Sequence, residues 1–269
     1  MSNSSIRLDG KKILITGVSR PMGIGATLAK RFAEAGARVA VHGFSDYDMI
    51  MNMTMNHLTA MPGGTETVAK QLNDLGLDVT VIEPSDLEVP GNAEKVVKEA
   101  AAALGGLEGL VLNHTNGESV EFGKWTPEHI DPILHVNVRA SMMMIQSFAN
   151  QADTTKDSAI TLFTSGQYLS PMISEIAYCV SKEAVICLSR QSAFALGDKN
   201  IRVNCVNPGA NDTGYCFEEA YETVAKKHPS GRWGKPDDTA DLLLFLHSDY
   251  AKWITGQLIA SDGGFKYGW

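Results

Sequence analysis

Three stretches of this 269-residue chain carry residue types at spacings that could do chemistry. The first is Thr16-Gly17-Val18-Ser19-Arg20-Pro21-Met22-Gly23-Ile24-Gly25. Glycines in such a run let the backbone approach a pyrophosphate, and a helix opening behind them aims unpaired N–H groups and a partial positive charge at it. The second pairs Tyr178 with Lys182, so that on a helix the phenol and the ammonium face the same way. A phenol has a pKa near 10, and a neighbouring ammonium favours its anion by about 1.4 kcal/mol for each unit of depression. The third is Ser165, thirteen residues before Tyr178 at the end of an apolar run, where a strand's carboxyl end and a helix start can converge. Each has a plain alternative: a simple strand-to-helix turn, a solvated helix stripe and a strand-end cap.

These residues need a scaffold, and the apolar pattern supplies one. Ile13–Thr16, Arg38–Val41, Val79–Ile82, Leu110–Leu112, Ala159–Phe163, Arg202–Val206 and Gln257–Ala260 read as strands, mostly as continuous apolar runs suited to burial on both faces. Between them, Ala26–Ala35, Thr65–Leu75, Asn92–Leu104, Pro127–Asn150, Glu175–Leu196 and Asp237–His247 have helical period. Gly36, Gly76, Gly105 and Gly197 stop four of these helices. The alternation predicts an α/β, Rossmann-type doubly wound parallel sheet of about seven strands with helices on both faces. No composition break divides 1–269, which reads as one domain. Two stretches interrupt it, an insertion at 45–64 that holds Met49, Met51, Met53, Met55 and Met61, and a loop at 209–236 with Tyr215, Phe217, Tyr221 and Trp233. Both leave from carboxyl ends of strands, where open α/β sheets bind ligands.

Composition excludes more than it assigns. With 23 basic and 31 acidic side chains the net charge is -8, and no Lys/Arg block offers a nucleic-acid backbone a surface. The apolar run Leu242–Leu246 is far shorter than the roughly 20 residues a bilayer needs. Cys179, Cys187, Cys205 and Cys216 form no C-x-x-C pair and fit reduced thiols in a cytoplasmic protein without a metal site.

In order along the chain stand the glycine motif, His135-Val136-Asn137-Val138, Ser165, Tyr178-Cys179-Val180-Ser181-Lys182 and Asn207-Pro208-Gly209. Asp86, the Gly231-Arg232-Trp233-Gly234-Lys235-Pro236 turn, Thr255-Gly256-Gln257 and Asp262-Gly263-Gly264 complete a pattern that resembles the short-chain dehydrogenase/reductase family nearly from end to end. The resemblance implies direct hydride transfer between a nicotinamide and a substrate carbon, without metal. It implies that Tyr178, its pKa lowered by Lys182 and the oxidised nicotinamide, exchanges the alcohol proton, and that Ser165 holds the substrate oxygen. Asn137 would anchor a water linking Lys182 to solvent, and Lys182 would also bond the nicotinamide ribose. Cofactor contacts are expected from Gly17, Ser19, Arg20, Gly23, Ile24, His42, Gly43, Asp86, Leu87, Asn113, Tyr178, Lys182, Pro208, Gly209 and Thr213.

The chain departs from the family pattern in three places. Five residues separate Gly17 from Gly23 where three are common, so Pro21 and Met22 read as a lengthened glycine loop found in a subset of members. The usual Asn-Asn-Ala-Gly becomes Leu112-Asn113-His114-Thr115, with His114 as a space filler or a neighbour of the nicotinamide. The second strand ends His42-Gly43-Phe44, with Gly43 where an acidic residue would bind the ribose of NAD. Together with Arg20, and with His42 and Ser45 as helpers, this favours NADP(H); the alternative is an exposed Arg20 with Asp46 or Asp48 folded back to the ribose.

For the substrate, a secondary alcohol or ketone on an apolar molecule such as a hydroxysteroid is expected, framed by Gln167, Tyr168, Ile173 and Tyr215. A 3-oxoacyl thioester on acyl carrier protein is the alternative, although Ala140–Thr155 contains no Lys or Arg to meet that acidic partner. From another class comes a cofactor-binding sensor or scaffold that has lost catalysis. The resemblance also implies a homotetramer or homodimer, packed through the helices 127–150 and 175–196.

Overall fold

The computed structural model describes residues 6–49, 61–214 and 218–265. Its elements run β1 (Lys12–Thr16), α1 (Ile24–Glu34), β2 (Arg38–His42), α2 (Gly64–Asp74), β3 (Val79–Val81), α3 (Asn92–Leu104), β4 (Gly109–Leu112) and α4 (Pro127–Leu134). They continue with α5 (Ser141–Gln151), β5 (Ser158–Phe163), α6 (Ile176–Ala195), β6 (Ile201–Asn207), α7 (Glu218–Ala225), α8 (Pro236–His247) and β7 (Leu258–Ala260). All seven strands are parallel in one sheet of order β3-β2-β1-β4-β5-β6-β7, the Rossmann-type arrangement expected.

Alternate residues of a strand point to opposite faces, and β1 feeds two cores in this way. Leu14 joins Val96, Val97, Met144, Phe148 and Val185 on the face covered by α3, α5 and α6. Ile13 and Ile15 join Leu28, Phe32, Val68, Leu243 and Leu246 on the face covered by α1, α2 and α8. With apolar cover on both sides the sheet is fixed as a plate, and its carboxyl edge becomes a rigid rim.

One helical expectation differs. The segment 127–150 is not a single α-helix: a π-helical segment, His135–Ala140, joins α4 to α5. Apolar periodicity does not register one extra residue in a turn, and π segments concentrate at functional positions. Pro132 inside α4 removes a backbone donor just upstream, and the Ser141 hydroxyl donates to the Asn137 carbonyl at 2.8 Å. The long excursions also gain structure, with helical backbone over 45–49 and helix α7 within 209–236. The described part of the Met-rich segment is limited to its ends, and Met51, Met53, Met55, Tyr215 and Phe217 lie outside the described residues. No helix among the described residues is long and apolar enough to cross a membrane.

Candidate functional site

The strand order reverses between β1 and β4, which opens a crevice at the carboxyl rim where ligands bind in such sheets. A cavity of about 620 Å³ fills this crevice and continues past the end of β5 to the start of α6. All fifteen residues expected at the cofactor line it: Gly17, Ser19, Arg20, Gly23, Ile24, His42, Gly43, Asp86, Leu87, Asn113, Tyr178, Lys182, Pro208, Gly209 and Thr213.

The glycine loop is built by close approach. Gly17 has φ +71°, and a Cβ there would lie 2.8 Å from the backbone and side chain of Asn113. Asn113 closes that contact by donating from Nδ2 to the Gly17 carbonyl at 3.0 Å. The Val18 N–H donates to the His42 carbonyl at 3.0 Å, tying the loop to β2. Such a cradle, free of side-chain bulk and followed by α1, fits a dinucleotide pyrophosphate. His42 is buried, bonded through Nε2 to the Ser85 N–H at 3.2 Å, and among the described residues its Nδ1 has no partner. A polar ligand on this wall would satisfy that nitrogen. Burial pushes the His42 pKa down to about 4.

Arg20 is not the exposed side chain that was one expectation. Its Nε lies 3.6 Å from Asp48 Oδ1, and Nη1 donates to the Thr213 carbonyl at 3.3 Å. The Ser19 hydroxyl donates to Asp48 Oδ2, so Asp48 does fold back onto the glycine loop. Beside it Tyr47 Oη accepts from the Gly117 N–H at 2.9 Å and donates to Asn116 Oδ1 at 3.3 Å, bridging to the loop after β4. Burial raises the Tyr47 pKa to about 12.

Chemistry concentrates at the other end. Lys182 is buried, donates to the Phe163 carbonyl at 3.0 Å and has Nζ 5.5 Å from the Tyr178 ring centroid. Desolvation lowers its pKa to about 8. Ser165, Tyr178 and Lys182 line the cavity, whereas Asn137 stands behind the wall. Its amide accepts from the Asn116 N–H at 2.7 Å and donates to the Asn116 carbonyl and to Ser181 Oγ, each at 2.9 Å. Ser181 in turn donates to the Tyr178 carbonyl at 2.7 Å, so Asn137 braces the turn of α6 that carries Tyr178 and Lys182. His114 is bonded at Nδ1 to Thr16 Oγ1 at 2.7 Å and approaches Ser141 Oγ at 3.4 Å; burial, with the Lys182 charge added, pushes its pKa down to about 3.

The substrate candidates are placed elsewhere. Gln167 Nε2 donates to Thr164 Oγ1 at 3.1 Å and to Glu183 at 3.2 Å, Tyr168 packs against the core and accepts from Asn207 at 3.3 Å, and Ile173 is 77% exposed. None of these three lines the cavity, and Tyr215 lies outside the described residues. Sequence reading missed Met172 and Glu175, which do line it. Glu175 sits one turn ahead of Tyr178, a signal that was available, and burial raises its pKa.

Comparison with known proteins decides the family. Residues 17–266 match the family model described as Enoyl-(Acyl carrier protein) reductase. This chain is a member of the short-chain dehydrogenase/reductase family. It is 30% identical over 260 residues to the uncharacterized oxidoreductase YjdA of Bacillus subtilis, covering 96% of this chain and 98% of the relative. It is 29% identical over 264 residues to the 3-oxoacyl-[acyl-carrier-protein] reductase FabG of Thermotoga maritima, covering 96% and 99%. The crystal structure of a short-chain dehydrogenase from Burkholderia cenocepacia in complex with NADP superposes with a TM-score of 0.83 at 30% identity, covering 96% and 98%. As a short-chain dehydrogenase/reductase, the protein is an oxidoreductase acting on CH–OH groups of small molecules with a nicotinamide cofactor.

Proposed function

We propose that this protein interconverts a secondary alcohol and a ketone with NADP(H), using Tyr178 as the general acid/base. The observation that carries the reading is the buried Lys182 ammonium, 5.5 Å from the Tyr178 ring on the wall of a cavity that begins at a pyrophosphate cradle. A charge held there without solvent screening favours the Tyr178 phenolate, so Tyr178 takes the alcohol proton in oxidation and returns it in reduction. Ser165 at the end of β5 holds the substrate oxygen and stabilises charge that develops on it. Asn137, through Ser181 and the Tyr178 carbonyl, keeps both side chains on the turn that faces the cavity. The bound nicotinamide supplies or accepts the hydride. Gly17, Ser19, Gly23 and Asn113 would hold the cofactor's phosphates and adenosine end, Asp86 and Leu87 line the cavity beyond β3, and Pro208, Gly209 and Thr213 border its far side.

NADP(H) is supported by Gly43, which offers no carboxylate at the end of β2, and by Arg20 on the same wall. Catalytic efficiency with both cofactors, measured in wild type and Arg20→Ala, tests this: preference for NADP(H) that falls in the variant is expected, and a wild-type preference for NAD(H) overturns it. Val136, Phe163 and Met172 give the substrate end an apolar lining, which supports an apolar substrate such as a hydroxysteroid. A second reading, reduction of 3-oxoacyl thioesters, is favoured by the likeness to the Thermotoga protein, while α5 (Ser141–Gln151) carries no Lys or Arg for an acidic carrier. Turnover of steroid, acyl-thioester, polyol and small-ketone panels separates the two. Met142, Val180 and Phe194 are exposed on α5 and α6 and suit packing against a second copy in a homotetramer or homodimer.

A further inference from the structure

Arg20 and Ser19 form an anion-binding pair that a side chain of the protein already engages. We propose that Asp48 is a built-in competitor of the cofactor's 2′-phosphate for Arg20 and Ser19, and that it sets how far the enzyme discriminates NADP(H) from NAD(H). This rests on the reading that the cofactor lies in the cavity with its adenosine ribose at the end of β2.

Asp48 is 8% exposed, receives the Ser19 hydroxyl and stands 3.6 Å from Arg20 Nε. Its position is held from three sides. Ser45 Oγ accepts from the Gly64 N–H at 3.0 Å, closing the base of the excursion. A Cβ on Gly64 would lie 1.9 Å from the Ser19 carbonyl, so that base is pressed against the glycine loop. Tyr47 fixes the same turn to Asn116 and Gly117 across the crevice. The carboxylate is therefore presented to Arg20 by the fold and is not a side chain that has wandered in from solvent.

The two cofactors meet this carboxylate differently. A ribose hydroxyl is uncharged and is not repelled by it, whereas a 2′-phosphate brings up to two like charges to the same guanidinium and hydroxyl. Arg20 has five N–H donors, and the Nε and Nη1 contacts leave capacity for phosphate oxygens. The phosphate can then bind, against a fixed negative charge that neutral Asp48→Asn would remove.

Calorimetric titration of the full-length protein with 2′,5′-ADP and 5′-ADP isolates the 2′-phosphate. Asp48→Asn is expected to tighten 2′,5′-ADP about tenfold, equivalent to about 1.4 kcal/mol, and to leave 5′-ADP within about twofold. The gain should disappear in the Arg20→Ala background, because the two residues act on one group. Asp48→Ser serves the same comparison should the asparagine variant fail to fold. The proposal is overturned if 5′-ADP weakens, if both ligands shift alike, or if the gain survives without Arg20. A wild-type enzyme that prefers NADH yet shows the Asp48→Asn gain refutes the NADP(H) assignment alone.

Discussion

The two ends of the cavity are built on different principles. At the pyrophosphate cradle, the wall is backbone: the Gly17 turn, the ends of β1 and β2, and the Asn113 contact fix it closely. At the substrate end, the wall is side chains leaving the loop between β5 and α6, where Gln167 turns toward Glu183 while Met172 and Glu175 line the cavity. Backbone cradles tolerate no substitution; side-chain walls tolerate many. The hold on a dinucleotide's pyrophosphate is accordingly rigid in such a fold, whereas what side chains select, at Asp48 as at the substrate end, is adjustable.

The sharpest division should come from Tyr178→Phe. Removing one hydroxyl should lower kcat by about 10²–10⁴-fold while cofactor affinity stays within about threefold, measured by steady-state kinetics and fluorescence titration; undiminished turnover would remove Tyr178 as the general acid/base, and only a wild-type protein that binds the cofactor without turning over any substrate would revive the non-catalytic sensor. Gly17→Ala strikes the other end. A positive φ costs a non-glycine residue about 1–2 kcal/mol, and the new Cβ meets Asn113. Cofactor affinity should fall about tenfold or more, with a lower unfolding midpoint, and an unaffected dissociation constant would show that the cradle is not the cofactor's.

Acid should act on both ends of the cavity. His114 and His42 are held neutral by burial down to about 3 and about 4, whereas the unfolded chain takes up these protons near 6.5. The folded state thus binds fewer protons across this window, and stability falls as pH drops from about 6.5, by at most about 1.4 kcal/mol per pH unit for each group. His114→Asn should flatten the pH dependence of the denaturation midpoint between pH 6 and 4; an unchanged slope would remove His114 from the account. The smallest effects belong to the substrate wall. Glu175→Gln should change KM for substrate by a few-fold without moving cofactor affinity, while Ile173→Ala should change neither.

What could be read in the sequence follows the same division. The alternation of apolar runs and helical periods locates every strand and major helix to within a residue or two, because covered strands and glycine stops leave local signatures. The glycine loop and the Tyr178–Lys182 spacing are local as well. Three features are not: the π segment at His135–Ala140, which carries Asn137, the return of Asp48 to Arg20, and the orientation of Gln167. The first two depend on contacts between segments far apart in the chain, Asn137 with Asn116 and Asp48 with Ser19, and the third on the nearby partners, Thr164 and Glu183, to which a side chain turns; no spacing rule encodes either.

The bond from the Gly64 N–H to Ser45 Oγ acts as a clasp. It makes the excursion a side branch with adjacent ends, closed independently of how many residues intervene. Tyr47 and Asp48 follow Ser45 closely, so the clasp that closes the branch also keeps both of them beside the glycine loop.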